Sequence, residues 1–243
     1  QAIKKKKGLM INGDIGCYTL GANAPLSALD TAICMGASLS MAHGAAQAYK
    51  VAGAKTKAVG VLGDSTFFHS GITSLMDAVY NQSDSISVIL DNRITGMTGH
   101  QENPGTGFTL MGKPAPEVDI PSLVKAVGIR EENIHIVNPL HLDEVDKALD
   151  ACIASDEPTV IITRWPCVLK KFSQQDLDEF KGLHQTQCHI IQDKCRNCKA
   201  CVRTGCPALM SSKDDVVIDV NSCVGCTVCK QVCPFDAIEE VQR

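Results

Sequence analysis

AVGVLGDST (Ala58–Thr66) and ISVILDNRI (Ile86–Ile94) decide how this chain folds. Each is a short apolar run that stops in turn-forming polar residues, the pattern of a strand buried on both faces. Similar runs occur at Leu9 to Ile11 and Thr159 to Ile162. Helix candidates lie between them at Ser38 to Lys50, Ser70 to Tyr80, Pro121 to Val127 and Leu142 to Ala154, the last with apolar Leu142, Val145, Leu149 and Ile153. The alternation predicts an α/β domain with a mainly parallel sheet covered on both faces, and ligands at the C-terminal ends of the strands. Two of those ends carry fitting chemistry. Asp64 follows Gly63, and Asn92 stands twenty-eight positions further on. A carboxylate and a carboxamide at neighbouring strand ends offer the hard oxygens that magnesium takes, with phosphate and water completing its shell. A diphosphate would fill that role, facing the N-terminus of the helix expected near Ser70. Taken singly, Asp64 reads as a helix cap and Asn92 as a turn residue.

The C-terminal end has a different character. Cys195, Cys198, Cys201 and Cys206 form one quartet and Cys223, Cys226, Cys229 and Cys233 a second, with Pro207 and Pro234 after the fourth cysteine of each. The first three of each quartet repeat at an interval of twenty-eight residues, as in a domain with internal pseudo-twofold symmetry. The run CVGCTVCKQVCP resembles a bacterial ferredoxin, in which three thiolates hold one 4Fe-4S cluster and the fourth reaches to the other. That resemblance implies the ligand sets Cys195, Cys198, Cys201, Cys233 and Cys223, Cys226, Cys229, Cys206. The first quartet has one extra residue before its fourth cysteine. Two zinc sites or a disulfide framework are the competing readings. Zinc favours paired C-x-x-C knuckles, and no secretory segment directs the chain to where disulfides persist.

The 243 residues, 44% of them hydrophobic, suffice for one sizeable core and a small satellite domain. No apolar stretch reaches membrane-spanning length, and a net charge of -4 argues against a nucleic-acid surface. Lys4 to Lys7 is the one basic run and reads as a solvated flank. The five remaining cysteines, Cys17, Cys34, Cys152, Cys167 and Cys188, fit reduced cytoplasmic thiols. The domain reading is residues 1–166 for the α/β part, 167–186 for a polar linker with a short helix near Gln174 to Phe180, and 187–243 for a small α+β ferredoxin-like part.

Four further segments narrow the picture: GDIGCYTLG (Gly13–Gly21), CMGAS (Cys34–Ser38), GDSTFFHSG (Gly63–Gly71) and GMTGHQENPGTG (Gly96–Gly107). GDS followed by DN resembles the GDG...N motif of thiamine diphosphate enzymes, with serine for the second glycine. Together with the cysteines, the segments resemble the C-terminal half of the large subunit of indolepyruvate:ferredoxin oxidoreductases, within the 2-oxoacid:ferredoxin oxidoreductase superfamily. The resemblance implies that Asp64, Asn92 and the carbonyl of Ile94 hold magnesium, and that Gly63, Ser65 and Thr66 lie against the diphosphate. Gly16, Cys17 and Gly36 would line the same pocket. His69 and the loop Thr98 to Gln101 would neighbour the thiazolium and substrate, His69 as an acid or base. The bland readings are a helix-start residue for His69, small buried apolar residues for Cys17 and Cys34, and a mere turn for the glycines of the long loop, whose length otherwise suggests a lid.

The activity so implied is oxidative decarboxylation of an aryl pyruvate to an acyl-coenzyme A and carbon dioxide, with electrons passing through both clusters to ferredoxin. The expected partners are a pyrimidine-binding domain in the rest of the large subunit, a smaller beta subunit and ferredoxin, in a hetero-oligomer. The glutamate that activates the pyrimidine and the cysteine-containing segment upstream of the first strand have no counterpart here. Gln1 accordingly reads as the start of a fragment or of one piece of a divided subunit, unable to turn over alone. Sister enzymes for pyruvate, 2-oxoglutarate or branched 2-oxo acids share this chemistry, and a non-catalytic electron-transfer module is the reading from another class.

Overall fold

The computed structural model describes residues 2–183 and 185–243. Gln1 and the side chain of Lys4, the first of the basic run, lie outside the described residues. The chain divides into two compact units. The first takes in residues up to Asn23, Ser27–Pro139 and Asp143–Lys170; the second is Lys171–Arg243 with Ala24–Leu26 and Leu140–Leu142. The segment 167–186, read as a linker, is thus shared between them.

The first unit is an all-parallel six-stranded sheet in the order β2-β1-β3-β4-β6-β5. Its strands are β1 (Leu9–Gly13), β2 (Thr31–Ala32), β3 (Lys57–Gly63), β4 (Ile86–Asp91), β5 (Ile134–Val137) and β6 (Thr159–Arg164), and its helices α1 (Ala2–Lys5), α2 (Ser38–Ala52), α3 (Asp64–Thr66), α4 (Ile72–Tyr80), α5 (Ile120–Ala126) and α6 (Leu142–Ala154). Successive strand residues face opposite sides, and both sides are dry. Val59, Val61, Ile86, Val88 and Ile161 pack with Leu149 and Cys152 of α6, while Leu62, Ile89, Val160 and Ile162 pack with Leu39, Leu75 and Val124 of α2, α4 and α5. The close approach of α2 depends on Gly60, where a Cβ would stand 2.8 Å from the Ser38 carbonyl.

One helix departs from expectation. The helix following β3 does not begin near Ser70: helical backbone starts at Asp64, passes through a π turn at Phe67–Gly71 and continues as α4. The strand end and the helix start are therefore a single joint. Chain order also reverses between β1 and β3, because β2 returns to the outer side of β1 before the chain crosses to β3. In parallel sheets that reversal opens a crevice at the strands' C-terminal ends.

The second unit holds α7 (Gln174–Glu179) and two antiparallel strand pairs. β7 (Thr186–Ile190) pairs with β10 (Ile238–Gln242), and β8 (Leu209–Ser211) with β9 (Val216–Ile218); the short α8 (Val228–Gln231) lies between the second pair and β10 in sequence. Its core is Cys188, Cys201, Ala208, Leu209, Val216, Cys223, Cys229 and Ile238, so half of its buried members are thiols. So small an apolar core calls for a staple, by metal or covalent bond. Among the described residues, no helix is long and apolar enough to cross a membrane.

Candidate thiamine diphosphate site and cysteine groups

In the first unit, the ends of β1, β3 and β4 bring together most of the residues singled out from the sequence. Asp64, 2% exposed, accepts the Ser65 N–H on Oδ1 at 2.7 Å and the Asn103 amide on Oδ2 at 3.1 Å. Burial, and then the negative charge of Asp91, push its carboxyl up to about 7, partly offset by these bonds and by the Ile94 N–H. A carboxylate held that high is one a bound cation would stabilise. Asn92 Oδ1 accepts the same Ile94 N–H at 3.1 Å and keeps a second lone pair. From Ile94 these bonds use the N–H, whereas the family resemblance assigns its carbonyl to the metal. The oxygens present fit magnesium, which takes few ligands from protein.

Across the crevice, Asp14 is fully buried and accepts the backbone N–H groups of Gly36 at 2.8 Å and Ser38 at 3.0 Å. It ties the end of β1 to the start of α2. Gly36 is a glycine by necessity: its φ is 90° and a Cβ would stand 2.1 Å from Ser70 Oγ. The ring of Tyr18 packs against both Gly16 and Gly63, 2.6 and 3.1 Å from where their Cβ atoms would be. Cys17 points toward Gly96 in the long loop, its Sγ 3.7 Å from a Cβ there. Cys17 and Cys34 are both exposed, which corrects the reading of them as small buried core residues. Strand ends open to solvent where core would be closed.

His69 is exposed in the π turn, with Nδ1 2.9 Å from Ser70 Oγ. Helical π turns recur at functional sites. The segment Thr98 to Gln101 folds on itself, Thr98 and Gln101 exchanging two bonds of 2.6 Å, and is mostly exposed. Further along the same loop, Asn103 is the residue that reaches Asp64, and Thr95 bonds Ser65 at 2.9 Å. Between Asn92 and Ile94, Arg93 has a left-handed φ of 60° and a side chain only 4% exposed, paired with Glu117 at 2.5 Å. Arg164 extends the pairing, 3.6 Å from both Glu117 and Asp91. Asp14, Tyr18, Arg93 and Asn103 were not singled out from the sequence. Asp14 and Asn103 stand inside quoted motifs, but their partners are non-local.

In the second unit, Cys195, Cys198, Cys201 and Cys233 line one small cavity, with Ile190, Val216, Phe235, Ala237 and Ile238 among its apolar walls. This is the crossed set implied by the ferredoxin resemblance, with Cys233 arriving from the second quartet. The Ala237 N–H reaches Cys233 Sγ at 3.4 Å. The other set is drawn together as well: Cys226 feels Cys206 and Cys223, and Cys229 feels Cys226 and Cys206. The Cys229 thiol is held well above its usual range, first by a shared hydrogen bond with Cys188 and then by burial. Among the described residues no three His, Cys, Asp or Glu side chains form a ready-made site for a single ion. A cubane binds its thiolates at separate corners, and four cysteines around one cavity could supply one to each iron.

Comparison with known proteins agrees with both halves. Residues 14–163 match the thiamine pyrophosphate enzyme C-terminal TPP-binding domain, and residues 216–239 match the 4Fe-4S binding domain. The chain belongs to the thiamine pyrophosphate enzyme family and carries an iron-sulfur domain behind it. More particularly, it is similar to indolepyruvate oxidoreductase subunit IorA of Archaeoglobus fulgidus, 41% identical over 93% of this chain and 34% of the relative. It is likewise similar to IorA of Thermococcus kodakarensis, 37% identical over 100% of this chain and 39% of the relative. The chain thus spans little more than a third of the length of these curated relatives. In fold it is similar to a 2-oxoglutarate:ferredoxin oxidoreductase from Magnetococcus marinus, with a TM-score of 0.58 at 14% identity over 71% of this chain and 60% of that one. A thiamin diphosphate-dependent enzyme from Mycobacterium smegmatis gives 0.51 at 18% identity, over 68% and 31% of the two chains.

Proposed function

We propose that this chain is the thiamine- and cluster-bearing part of an enzyme that oxidatively decarboxylates an aryl pyruvate of the indolepyruvate type in the cytoplasm. One 2-oxo acid anion and one coenzyme A thiol give an acyl-coenzyme A, carbon dioxide, a proton and two electrons. The two electrons released leave singly through two 4Fe-4S clusters to ferredoxin. Thiamine diphosphate supplies the electron sink that makes loss of carbon dioxide feasible, and the clusters supply the oxidant. Asp64, Asn92 and the Ile94 carbonyl hold the magnesium ion; Gly63, Ser65, Thr66, Gly16, Cys17 and Gly36 form the cradle for the diphosphate. His69 is the candidate for moving a proton near the substrate. Cys195, Cys198, Cys201 and Cys233 bind one cluster, and Cys206, Cys223, Cys226 and Cys229 the other.

The observation that carries this reading is the joining, in one chain, of buried Asp64 and half-buried Asn92 at adjacent strand ends with a cavity lined by four cysteines. A decarboxylase needs only the first; an electron carrier needs only the second. The pyrimidine-binding domain, a beta subunit and ferredoxin complete the enzyme. The test is a screen of 2-oxo acids with the assembled enzyme, thiamine diphosphate, magnesium and coenzyme A, following reduction of a viologen dye. Indolepyruvate should be turned over with a higher kcat/KM than pyruvate or 2-oxoglutarate. A preference for either of those would refute the substrate assignment. Retained cofactor binding in Asp64→Ala would refute the metal assignment.

A further inference from the structure

Charge is spread unevenly over the two halves of the cysteine-bearing unit. Around the first quartet, cations alternate with the thiols: Lys194, Arg196, Lys199 and Arg203 stand beside or between Cys195, Cys198, Cys201 and Cys206, and no acid stands between Cys195 and Cys206. Twenty-eight residues on, the corresponding positions hold Ser222, Val224, Thr227 and Gln231, and Lys230 is the one cation between Cys223 and Cys233. Lys194, Arg196 and Arg203 are exposed and Lys199 is half-buried; Arg196 and Lys199 line the cavity of Cys195, Cys198, Cys201 and Cys233. Local bonds hold this collar in place. Arg203 Nη1 donates to the Cys198 carbonyl at 3.2 Å, and Lys199 Nζ to the Ser212 carbonyl at 3.1 Å. The turn between β8 and β9 that follows Ser212 carries Lys213 with Asp214 and Asp215, so the excess of positive charge belongs to the cysteine loop itself.

The same group is the one nearer to solvent. Cys198 is exposed and only Cys201 of its set is buried, whereas in the other set Cys223 and Cys229 are buried and no member is exposed. Phe235, another wall of the first cavity, is 45% exposed. An apolar centre within a polar rim is the anatomy of a protein interface. Electron carriers bury little area when they dock, so charge does much of the steering and selects the partner. Building on the cluster assignment above, we infer that Lys194, Arg196, Lys199 and Arg203 form the docking surface for an acidic protein electron carrier, which takes electrons from the cluster held by Cys195, Cys198, Cys201 and Cys233. Each encounter oxidises that cluster by one electron and reduces the carrier by one. Two encounters clear the pair released in a turnover.

The test is steady-state reduction of an acidic bacterial-type ferredoxin by the assembled enzyme, with a viologen dye as a second acceptor small enough to need no docking surface. In the double variant Lys194→Glu/Arg196→Glu the KM for ferredoxin should rise about tenfold or more with kcat little changed. The wild-type kcat/KM for ferredoxin should fall steeply as salt is added, and that of the variant should not. Viologen reduction and iron per chain should match wild type. The milder pair Lys194→Gln/Arg196→Gln should show a smaller rise, and carries the test should charge reversal cost iron. Asn221→Glu, at an exposed position before the other quartet, should leave the KM near its wild-type value. An unchanged ferredoxin KM in both double variants, or an equal rise in Asn221→Glu, would overturn the inference. Equal loss of ferredoxin and viologen reduction with iron retained would overturn it as well, by assigning these residues to the electron path in place of the dock. A wild-type chain without iron would instead overturn the cluster assignment itself.

Discussion

At Asp64 the needs of folding and of binding oppose each other. Burial and Asp91 raise its carboxyl to about 7, so the unliganded fold is disfavoured by the very charge a metal ion would use. Asp64→Asn removes that charge while losing a good acceptor for the Asn103 amide, two effects of opposite sign and each about 1–3 kcal/mol. The expected result is a thermal midpoint near wild type without ligand, and loss of the rise that magnesium thiamine diphosphate gives to wild type; differential scanning calorimetry measures both. Arg93 makes the complementary case. Its left-handed backbone between Asn92 and Ile94 is held by the ion pair to Glu117. Glu117→Gln leaves a buried guanidinium with a weaker partner and should cost roughly 2–4 kcal/mol in urea unfolding. Cofactor affinity should fall with it, since the Asn92 turn loses its anchor. The pair Asp64 and Asn92 was legible from spacing, because each closes an apolar run. Arg93 and Asn103 were not, because their roles come from burial and from a loop returning over the strand ends.

At the scale of elements, the joint between β1 and α2 rests on Asp14, which takes the Gly36 and Ser38 N–H groups in a fully buried setting. Asp14→Ala leaves both donors without an acceptor and should destabilise the first unit by about 2–5 kcal/mol, measured by urea unfolding, with Asp14→Asn recovering part of the loss. The four longest apolar runs were readable as strands, and Leu142–Ala154 as a helix at the same limits. β2, two residues long, and β5, which carries His135 and an exposed Ile136, give too little apolar signal to be seen in advance. The strands of the second unit are hidden for a similar reason: TQCHI in β7 and IEEVQ in β10 mix polar residues on a small sheet with little core. The helix after β3 starts earlier than its sequence suggests, because GDSTFFHSG begins with turn-forming residues although Asp64 itself opens the helical backbone.

Over the whole molecule, two signals of different kinds survive in the sequence. Alternating strands and helices give the α/β unit, and cysteine spacing gives the second unit even where its strands do not show. The crossed grouping of Cys233 with Cys195, Cys198 and Cys201 around one cavity is what spacing and the ferredoxin likeness imply together. The presence of Cys188 beside the other group is not, since a lone cysteine upstream of the quartets carries no spacing of its own. Oxidation on these terms requires thiolate-bound iron in the same chain as the thiamine diphosphate-binding domain. The most direct measurement is the iron, sulfide and zinc content of the chain purified without air, with electron paramagnetic resonance after reduction. Iron and sulfide in equal amounts, filling two cubanes per chain and giving the spectrum of two interacting reduced clusters, is the predicted result; zinc bound by the cysteines in place of iron would contradict it.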